Sequence, residues 1–190
     1  MTRLQVLRAR DYPRMPWKNG GGFTEEITRD DGQGLEGFGW RLSIADIAES
    51  GGFSVFAGYQ RIISVLQGDG MRLLVDGQLS RPLLAYDAFA FAGESQVSCH
   101  LLDGPIRDFN LIYAPQRYRA RLQWFDGTHH LYSSADTLLL FAASACVEVA
   151  LPGQAVHPLG LYDCLRLDDN DHLQFLKANG RFCLVELTLR

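Results

Sequence analysis

A short polar run ahead of an expected β-strand contains residue types suited to binding a ligand. It brings together an aromatic ring, a cation, an amide and three consecutive glycines: Trp17, Lys18, Asn19, Gly20, Gly21 and Gly22. Adjacent glycines lose much conformational entropy on folding, which indicates that the backbone here adopts positive φ angles or approaches a ligand closely. The run therefore predicts a binding loop that presents charge and hydrogen bonds beside exposed backbone N–H groups. The alternative is a flexible connector.

Polar residues also recur two positions apart on three expected strands, which places both members of a pair on one face. The pairs are Thr24 with Glu26, Arg41 with Ser43, and Asp108 with Asn110. In a β-barrel this polar face either lines the interior or faces water, as in any half-buried antiparallel sheet. The pattern alone leaves both arrangements open.

Arg61 stands at the start of a strongly apolar strand and follows a Phe-rich segment that contains Phe56. One interpretation is structural: the side chain reaches water or pairs with a carboxylate such as Asp108. The other is functional: the guanidinium binds a ligand carboxylate through two parallel hydrogen bonds.

The sequence offers no metal site and no covalent catalyst. The histidines include no HxH pair, which on a strand would direct two rings to one face: His100, His129, His130, His157 and His172. There is no GxSxG or GxxxxGK[ST] motif, and no helix-forming sequence follows the glycine run as a dinucleotide fingerprint requires. We therefore expect no metal and no other cofactor.

The formal net charge of −4 at pH 7 argues against nucleic acid or an anionic membrane as the main partner. No apolar run is long enough to span a bilayer, and the first residues lack the apolar core of a signal peptide, so the expected location is the cytoplasm. The cysteines lie far apart in apolar, strand-like segments, which favours buried free thiols: Cys99, Cys146, Cys164 and Cys183.

Short apolar or alternating runs separated by turn residues predict an all-β fold, a sandwich or barrel rather than βαβ units. The Asp76-Gly77 pair between two such runs predicts a tight hairpin. The segment 41–47 fits a strand or a short helix.

A weak internal repeat appears when the sequence is shifted by 76 positions. Residues 77–111 then show eight identities with residues 153–187, several of them at turns. This predicts two homologous cupin-like barrels, one at 1–115 and one at 116–190. In the second copy the polar residues are lost, since Arg61 aligns with Thr137 and Asp108 with Leu184. We therefore expect the first barrel to carry the ligand pocket and the second to be structural.

The polar residues above resemble the signature of the HutD/Ves family. The resemblance rests on these residues and covers the first 115 by motif: Pro16-Trp17-Lys18-Asn19-Gly20-Gly21-Gly22, Thr24, Glu26-Ile27, Trp40-Arg41, Ser43, Ala45, Phe53-Ser54, Phe56, Gly58, Arg61, Gly104-Pro105 and Asp108-Phe109-Asn110-Leu111. Gly52 and Ala57 stand where the family pattern has prolines, and Gln60 where it has an acid.

The resemblance implies a bicupin without the usual metal ligands and a role in bacterial histidine utilisation. It implies that a small carboxylate, N-formyl-L-glutamate or urocanate, is bound and that the protein moderates the pathway rather than catalysing a step. A homodimer through exposed strand edges is a reasonable expectation for such barrels. The alternative is a cofactor-free isomerase or hydrolase that uses Glu26 or Asp108 as a general base beside Lys18.

On the sensor hypothesis the predicted binding residues divide into groups by role. Lys18 and Arg61 would neutralise ligand carboxylates, and Asn19 and Asn110 would bond a formyl or amide group. The glycines would offer backbone N–H groups, and Trp17 and Phe56 would exclude water. Thr24, Glu26 and Asp108 would orient the cations, because buried charges need partners. Arg41 completes the predicted set.

Overall fold

The computed structural model of the chain describes residues 2–17, 20–31 and 37–190. Within these ranges the regular structure is β-sheet apart from a 3-10 turn at Ala9–Asp11. The strands are, in chain order, β1 (Arg3–Leu7), β2 (Arg14–Pro16), β3 (Gly22–Arg29), β4 (Trp40–Ile47), β5 (Gly51–Gly52), β6 (Gln60–Gln67), β7 (Met71–Val75), β8 (Gln78–Leu79), β9 (Ala88–Ala92), β10 (Val97–Leu101), β11 (Ile106–Tyr113), β12 (Tyr118–Phe125), β13 (Thr128–Ser133), β14 (Thr137–Ala142), β15 (Val147–Ala150), β16 (His157–Leu159), β17 (Cys164–Asp168), β18 (Gln174–Asn179) and β19 (Phe182–Leu189). The predicted all-β class is confirmed.

The chain divides into two compact units. One comprises Tyr12–Arg117, and the other joins Met1–Asp11 to Tyr118–Arg190. The N-terminal segment therefore does not follow the predicted division at 115/116, because β1 pairs antiparallel with β17 along its whole length. Pairing between strands distant in sequence depends on tertiary contacts, which the five residues of β1 do not reveal by themselves.

The unit Tyr12–Arg117 contains two antiparallel sheets around one apolar core. The larger has the order β2-β3-β4-β11-β6-β9, and the smaller has the order β5-β10-β7-β8. Both contribute to the core, for example Ile63 and Val65 from β6 and Met71 and Leu73 from β7. Two facing antiparallel sheets with a shared core match the expected jelly-roll architecture.

The other unit repeats this plan with fewer strands. Its larger sheet has the order β1-β17-β14-β19-β12, and its smaller sheet has the order β13-β18-β15-β16. Leu138, Leu140, Val147 and Leu176 belong to the core of this unit.

Equivalent backbone features recur at the 76-residue offset that the sequence repeat indicates. Tyr86 and Tyr162 both adopt left-handed conformations, with φ of 66° and 67°. The residue after each, Asp87 or Asp163, accepts a side-chain hydrogen bond from the backbone N–H three residues earlier, at 3.0 and 2.9 Å. A left-handed tyrosine is an uncommon conformation, so its recurrence at the same offset supports an internal duplication.

The predicted hairpin is present between β7 and β8. Val75 lies opposite Gln78, and the two turn residues, Asp76 and Gly77, have φ of 48° and 81°. Positive φ at both central positions is the geometry that favours an Asp-Gly pair in a two-residue hairpin loop.

The cysteines are all free, and three of the four are buried as expected. Burial raises the pKa of the Cys99 and Cys164 thiols to about 12 and that of Cys183 well above its ordinary range. The expectation of a buried thiol is wrong for Cys146, which is exposed because it lies in the turn between β14 and β15.

Candidate functional site

A cavity of about 600 Å³ opens within the unit Tyr12–Arg117. Seven of the predicted binding residues line it: Trp17, Thr24, Arg41, Phe56, Arg61, Asp108 and Asn110. The rest of its lining is Met15, Pro16, Ser43, Ala45, Gly52, Phe53, Ser54 and Ile112. The polar faces of β4 and β11 therefore point into this cavity, which decides between the two arrangements that the alternating pattern left open.

Strand register brings the polar residues of β4 and β11 together. The segment that fits a strand or a helix by sequence is the strand β4, and it pairs antiparallel with β11 so that Asn110 lies opposite Ser43 and Asp108 opposite Ala45. Residues opposite each other on neighbouring strands share a face of the sheet. The two central strands thus carry one continuous polar patch on the cavity side.

Arg61 is a buried cation surrounded by aromatic rings. Its guanidinium carbon lies 5.1–5.5 Å from the ring centroids of Phe53, Phe56 and Phe91, and Nη1 donates a 3.2 Å hydrogen bond to the Ser54 carbonyl. Burial lowers the pKa of Arg61 to about 10, so the side chain is still charged at neutral pH. Its Nε has no hydrogen-bond partner among the described residues. The cavity therefore contains a desolvated donor on a positive group.

Asp108 is the buried carboxyl group of the cavity, with 1% of its surface exposed. Burial raises its pKa to about 7, although the positive charge of Arg61 and a backbone hydrogen bond from Ala45 oppose this shift. Within the described part of the chain, Oδ1 of Asp108 and Oδ1 of Asn110 have no hydrogen-bond partner. The cavity wall thus presents a carboxyl group close to half-ionised at neutral pH and two unoccupied oxygen acceptors.

Arg41 also reaches the cavity, but its guanidinium is paired with Glu26. Its Nε donates to Oε2 of Glu26 at 2.7 Å, while Nε of Arg29 donates to Oε1 of the same carboxylate at 2.6 Å. Burial opposes ionisation of Glu26, but the hydrogen bonds from Arg29 and Arg41 outweigh it and hold the pKa below its usual value. Glu26 therefore stays ionised and positions Arg41, and it does not line the cavity itself.

Arg29 is missing from the predicted set because of a β-bulge. The register between β3 and β4 shifts between Glu26 and Thr28, so that Arg29 lies opposite Arg41. Strict alternation would place Arg29 on the face opposite Glu26, whereas the extra residue of a bulge moves it to the same face. Nothing in the local sequence indicates where this insertion occurs.

Trp17 closes one side of the cavity in a fixed orientation. Its indole Nε1 donates a 2.8 Å hydrogen bond to Oγ1 of Thr24, and its backbone N–H donates to the Gly22 carbonyl at 2.9 Å. A Cβ at Gly22 would lie 2.1 Å from the Asp46 carbonyl oxygen, so only glycine permits this approach of β3 to β4. At least one of the three glycines therefore serves close strand packing.

The first two glycines of the predicted loop contribute less to the cavity than expected. Gly20 and Gly21 do not line it: the Gly20 N–H donates to the Trp17 carbonyl at 3.0 Å, and the Gly21 carbonyl accepts from Ala48 at 3.1 Å. Gly20 instead borders a second, more open cavity of about 400 Å³. Lys18 and Asn19 lie outside the described residues.

Several functional-site residues were not predicted. Phe53 and Phe91 flank Arg61, Ser54 accepts its hydrogen bond, and Ser43 adds a hydroxyl to the polar patch. The Phe-rich segment and the pairing of Ser43 with Arg41 in the sequence are the signals that pointed to three of them. Phe91 belongs to β9, far along the chain, and carries no such signal.

Among residues 2–17, 20–31 and 37–190, no group of three or more His, Cys, Asp or Glu side chains is arranged to hold a metal ion. The same residues contain no helix long and apolar enough to cross a membrane.

Comparison with known proteins places the chain among close relatives. An uncharacterized 21.2 kDa protein in the hutC 3' region of Pseudomonas putida is 78% identical over 190 residues and covers 100% of both chains. The structure of HutD from Pseudomonas fluorescens SBW25 has a TM-score of 0.91 at 61% identity, covering 99% of this chain and 100% of that one. Protein Ves of Citrobacter koseri is 33% identical over 97% of this chain and 94% of its own.

More distant structures agree on the fold. Protein YlbA of E. coli has a TM-score of 0.68 at 10% identity, covering 97% of this chain and 90% of that one. The fold is cupin-like. The family described as HutD matches residues 9–184. This match and the full-length relatives together show that the chain belongs to the HutD family.

Proposed function

We propose that this protein binds a small carboxylate in the cavity around Arg61 and acts as a sensor that moderates histidine catabolism. The observation that carries the proposal is the buried Arg61 guanidinium, whose Nε lacks a partner among the described residues while its charge persists at neutral pH. A buried cation with an unused donor is costly unless an acceptor occupies the site, and a carboxylate supplies both the acceptor and the opposite charge.

The size and lining of the cavity support a metabolite rather than a macromolecule. A volume of about 600 Å³ is within the range of small-molecule sites. Aromatic rings wall off Arg61 on several sides, which lowers the local dielectric and strengthens its attraction for an anion.

The relatives' names support the pathway. One relative is a protein in the hutC 3' region, and another is HutD, whose structure carries the label "formate condition". On this basis the candidate ligands are N-formyl-L-glutamate and urocanate, and formate is the smallest carboxylate probe.

Isothermal titration calorimetry with these three compounds tests the proposal. We expect saturable binding of at least one carboxylate, with the ligand recovered unchanged as judged by NMR. Arg61→Lys keeps the charge but removes Nε and the planar fork, so its affinity should fall at least tenfold. Arg119→Lys on β12 is the matched control, because Arg119 is exposed and lies in the other unit.

The outcomes separate the possibilities. Absence of binding to all three compounds would overturn the proposal, and wild-type affinity in Arg61→Lys would remove Arg61 from the site. Circular dichroism and a denaturant midpoint for each variant distinguish lost binding from lost folding.

A second candidate function is catalysis without a cofactor. The observation that favours it is Asp108, a cavity carboxyl whose pKa is raised by burial to about 7, near the optimum for a general base at neutral pH. Glu26 does not suit this role because two arginines hold it ionised and hydrogen-bonded. Chemical conversion of a recovered ligand, abolished in Asp108→Asn, would establish an enzyme instead of a sensor.

A further inference from the structure

We propose that the cavity takes up its carboxylate ligand together with one proton, which resides on Asp108, so that Asp108 is the residue that links ligand binding to pH. This inference rests on the proposed function, because it describes how the same site accommodates the negative charge of its ligand.

The charged groups around Asp108 determine how the cavity accommodates the negative charge of a ligand. From the neighbouring strand β6, Arg61 attracts Asp108 through its charge, but the two groups do not form a direct ion pair. From β4, Arg41 is paired with the Glu26 carboxylate, which it shares with Arg29. Among the residues that the structure describes, the cavity therefore contains one guanidinium without a carboxylate partner, Arg61, and one buried carboxyl group, Asp108.

The remaining titratable neighbours do not change this balance. Asp46 of β4 acts on Asp108 from a distance and is itself paired with Arg107, whose Nε lies 2.7 Å from its Oδ1. From β10, the buried Cys99 stays a neutral thiol, since burial raises its pKa to about 12. On β11 the neighbouring cavity group is the uncharged amide of Asn110.

A ligand carboxylate at Arg61 would compete with Asp108 for the positive charge of this guanidinium. Two carboxylates near one cation in a largely apolar cavity repel each other, and one of them then takes up a proton. Asp108 is the better proton acceptor, because burial already raises its pKa to about 7, whereas a small carboxylic acid in water ionises near pH 4. The ligand is therefore held as the anion and Asp108 as the acid.

A proton on Asp108 would allow its unpartnered oxygen to take part in a hydrogen bond with the ligand. Oδ1 has no partner among the residues that the structure describes, although the side chain is buried and lines the cavity. A protonated carboxyl turns one of its oxygens into a donor, which can bond the ligand carboxylate beside Arg61. In this arrangement Arg61 and Asp108 act on the same anion from two strands.

Proton uptake is directly measurable with N-formyl-L-glutamate and with formate. Titrations at pH 8 in HEPES and in Tris, which differ in ionisation enthalpy, should show uptake of nearly one proton per ligand. The association constant should fall roughly a hundredfold between pH 6 and pH 9, since above the pKa of free Asp108 each pH unit costs about tenfold. Below pH 6 the uptake should approach zero, because free Asp108 is already protonated.

Asp108→Asn tests the assignment, because asparagine is a permanently neutral donor of the same shape. It should bind with an affinity that changes less than about threefold over this pH range and with no proton uptake at pH 8. Asp69→Asn is the matched control, since Asp69 is an exposed turn residue outside the cavity and its variant should keep the wild-type proton uptake.

Each outcome of these titrations either supports or overturns part of the proposal. Wild-type binding with a flat pH profile and no proton uptake overturns the proton linkage while the carboxylate proposal stands. Proton uptake that persists in Asp108→Asn overturns the assignment to Asp108. A wild-type protein that binds neither probe at any pH overturns the proposed function and this inference with it. If Asp108→Asn does not fold, the wild-type comparison of the two buffers decides alone.

Discussion

Two carboxylates of the same sheet, the half-buried Glu26 and the buried Asp108, behave in opposite ways because their partners differ. Glu26 accepts hydrogen bonds from two arginines, and its pKa is held below the usual value. Asp108 has a single backbone hydrogen bond and a more distant cation, so burial dominates and raises its pKa to about 7. The first carboxylate is a fixed structural charge, and the second is free to change its protonation state near neutral pH.

This difference predicts the pH dependence of folding. A carboxyl whose pKa is higher in the folded state stabilises the protein below its unfolded pKa, near 3.8, and that contribution is lost as the pH rises to about 7. Between pH 5 and pH 8 the wild type should lose about 3 kcal/mol of unfolding free energy relative to Asp108→Asn. Denaturant titrations of both proteins at the two pH values measure this, and an unchanged difference would show that Asp108 is ionised throughout.

The strand β3 positions much of one side of the site. Its start lies close against β4 at Gly22, its Thr24 hydroxyl orients Trp17, and the bulge beyond Glu26 brings Arg29 to the same carboxylate that holds Arg41. The alignment of these groups depends on the distance between the two strands, so packing at Gly22 affects the site from outside the cavity.

Gly22→Ala should therefore disturb both stability and binding. An added methyl group would meet the Asp46 carbonyl oxygen at 2.1 Å and force β3 away from β4. We expect a loss of about 2 kcal/mol or more in unfolding free energy and weaker carboxylate binding, because Trp17 moves with this backbone. Gly51→Ala is the control, as its Cβ would meet open space. Equal denaturant midpoints for the two variants would contradict the packing argument.

At the scale of the whole chain, the same arrangement of strands occurs in both units, and the polar residues of the site are present in the first copy but not in the second. The strands β9 and β17, and likewise β11 and β19, are offset by 76 residues. The second copy has Thr137 and Leu184 where the first has Arg61 and Asp108. Buried Thr137 donates a 3.1 Å hydrogen bond to Asp168, so this position is satisfied within the protein.

Loss of these charges in the second copy predicts a single carboxylate site per chain. Calorimetric titration with N-formyl-L-glutamate should give a stoichiometry close to one, and Arg61→Lys should weaken that one process without revealing another. A stoichiometry near two would mean that the second unit binds the ligand by a different set of residues. The stoichiometry depends on an accurate protein concentration, which is measured from absorbance under denaturing conditions.

Alternating polarity and turn residues in the chain were sufficient to predict the β class and the Asp76-Gly77 hairpin, because these features arise from neighbours within a few residues. The internal repeat was predicted by comparing the sequence with itself at an offset of 76 residues. The same pattern identified Arg61, Asp108 and Asn110 as a polar set. It could not assign β1 to the unit that contains β17, nor exclude Gly20 and Gly21 from the cavity lining. It also missed Arg29, which a bulge brings to the face of Glu26, and Phe91, which contacts Arg61 from another strand. Local periodicity does not indicate which strands are neighbours in a sheet. Only the pairing of strands in the tertiary structure determines which groups each side chain contacts.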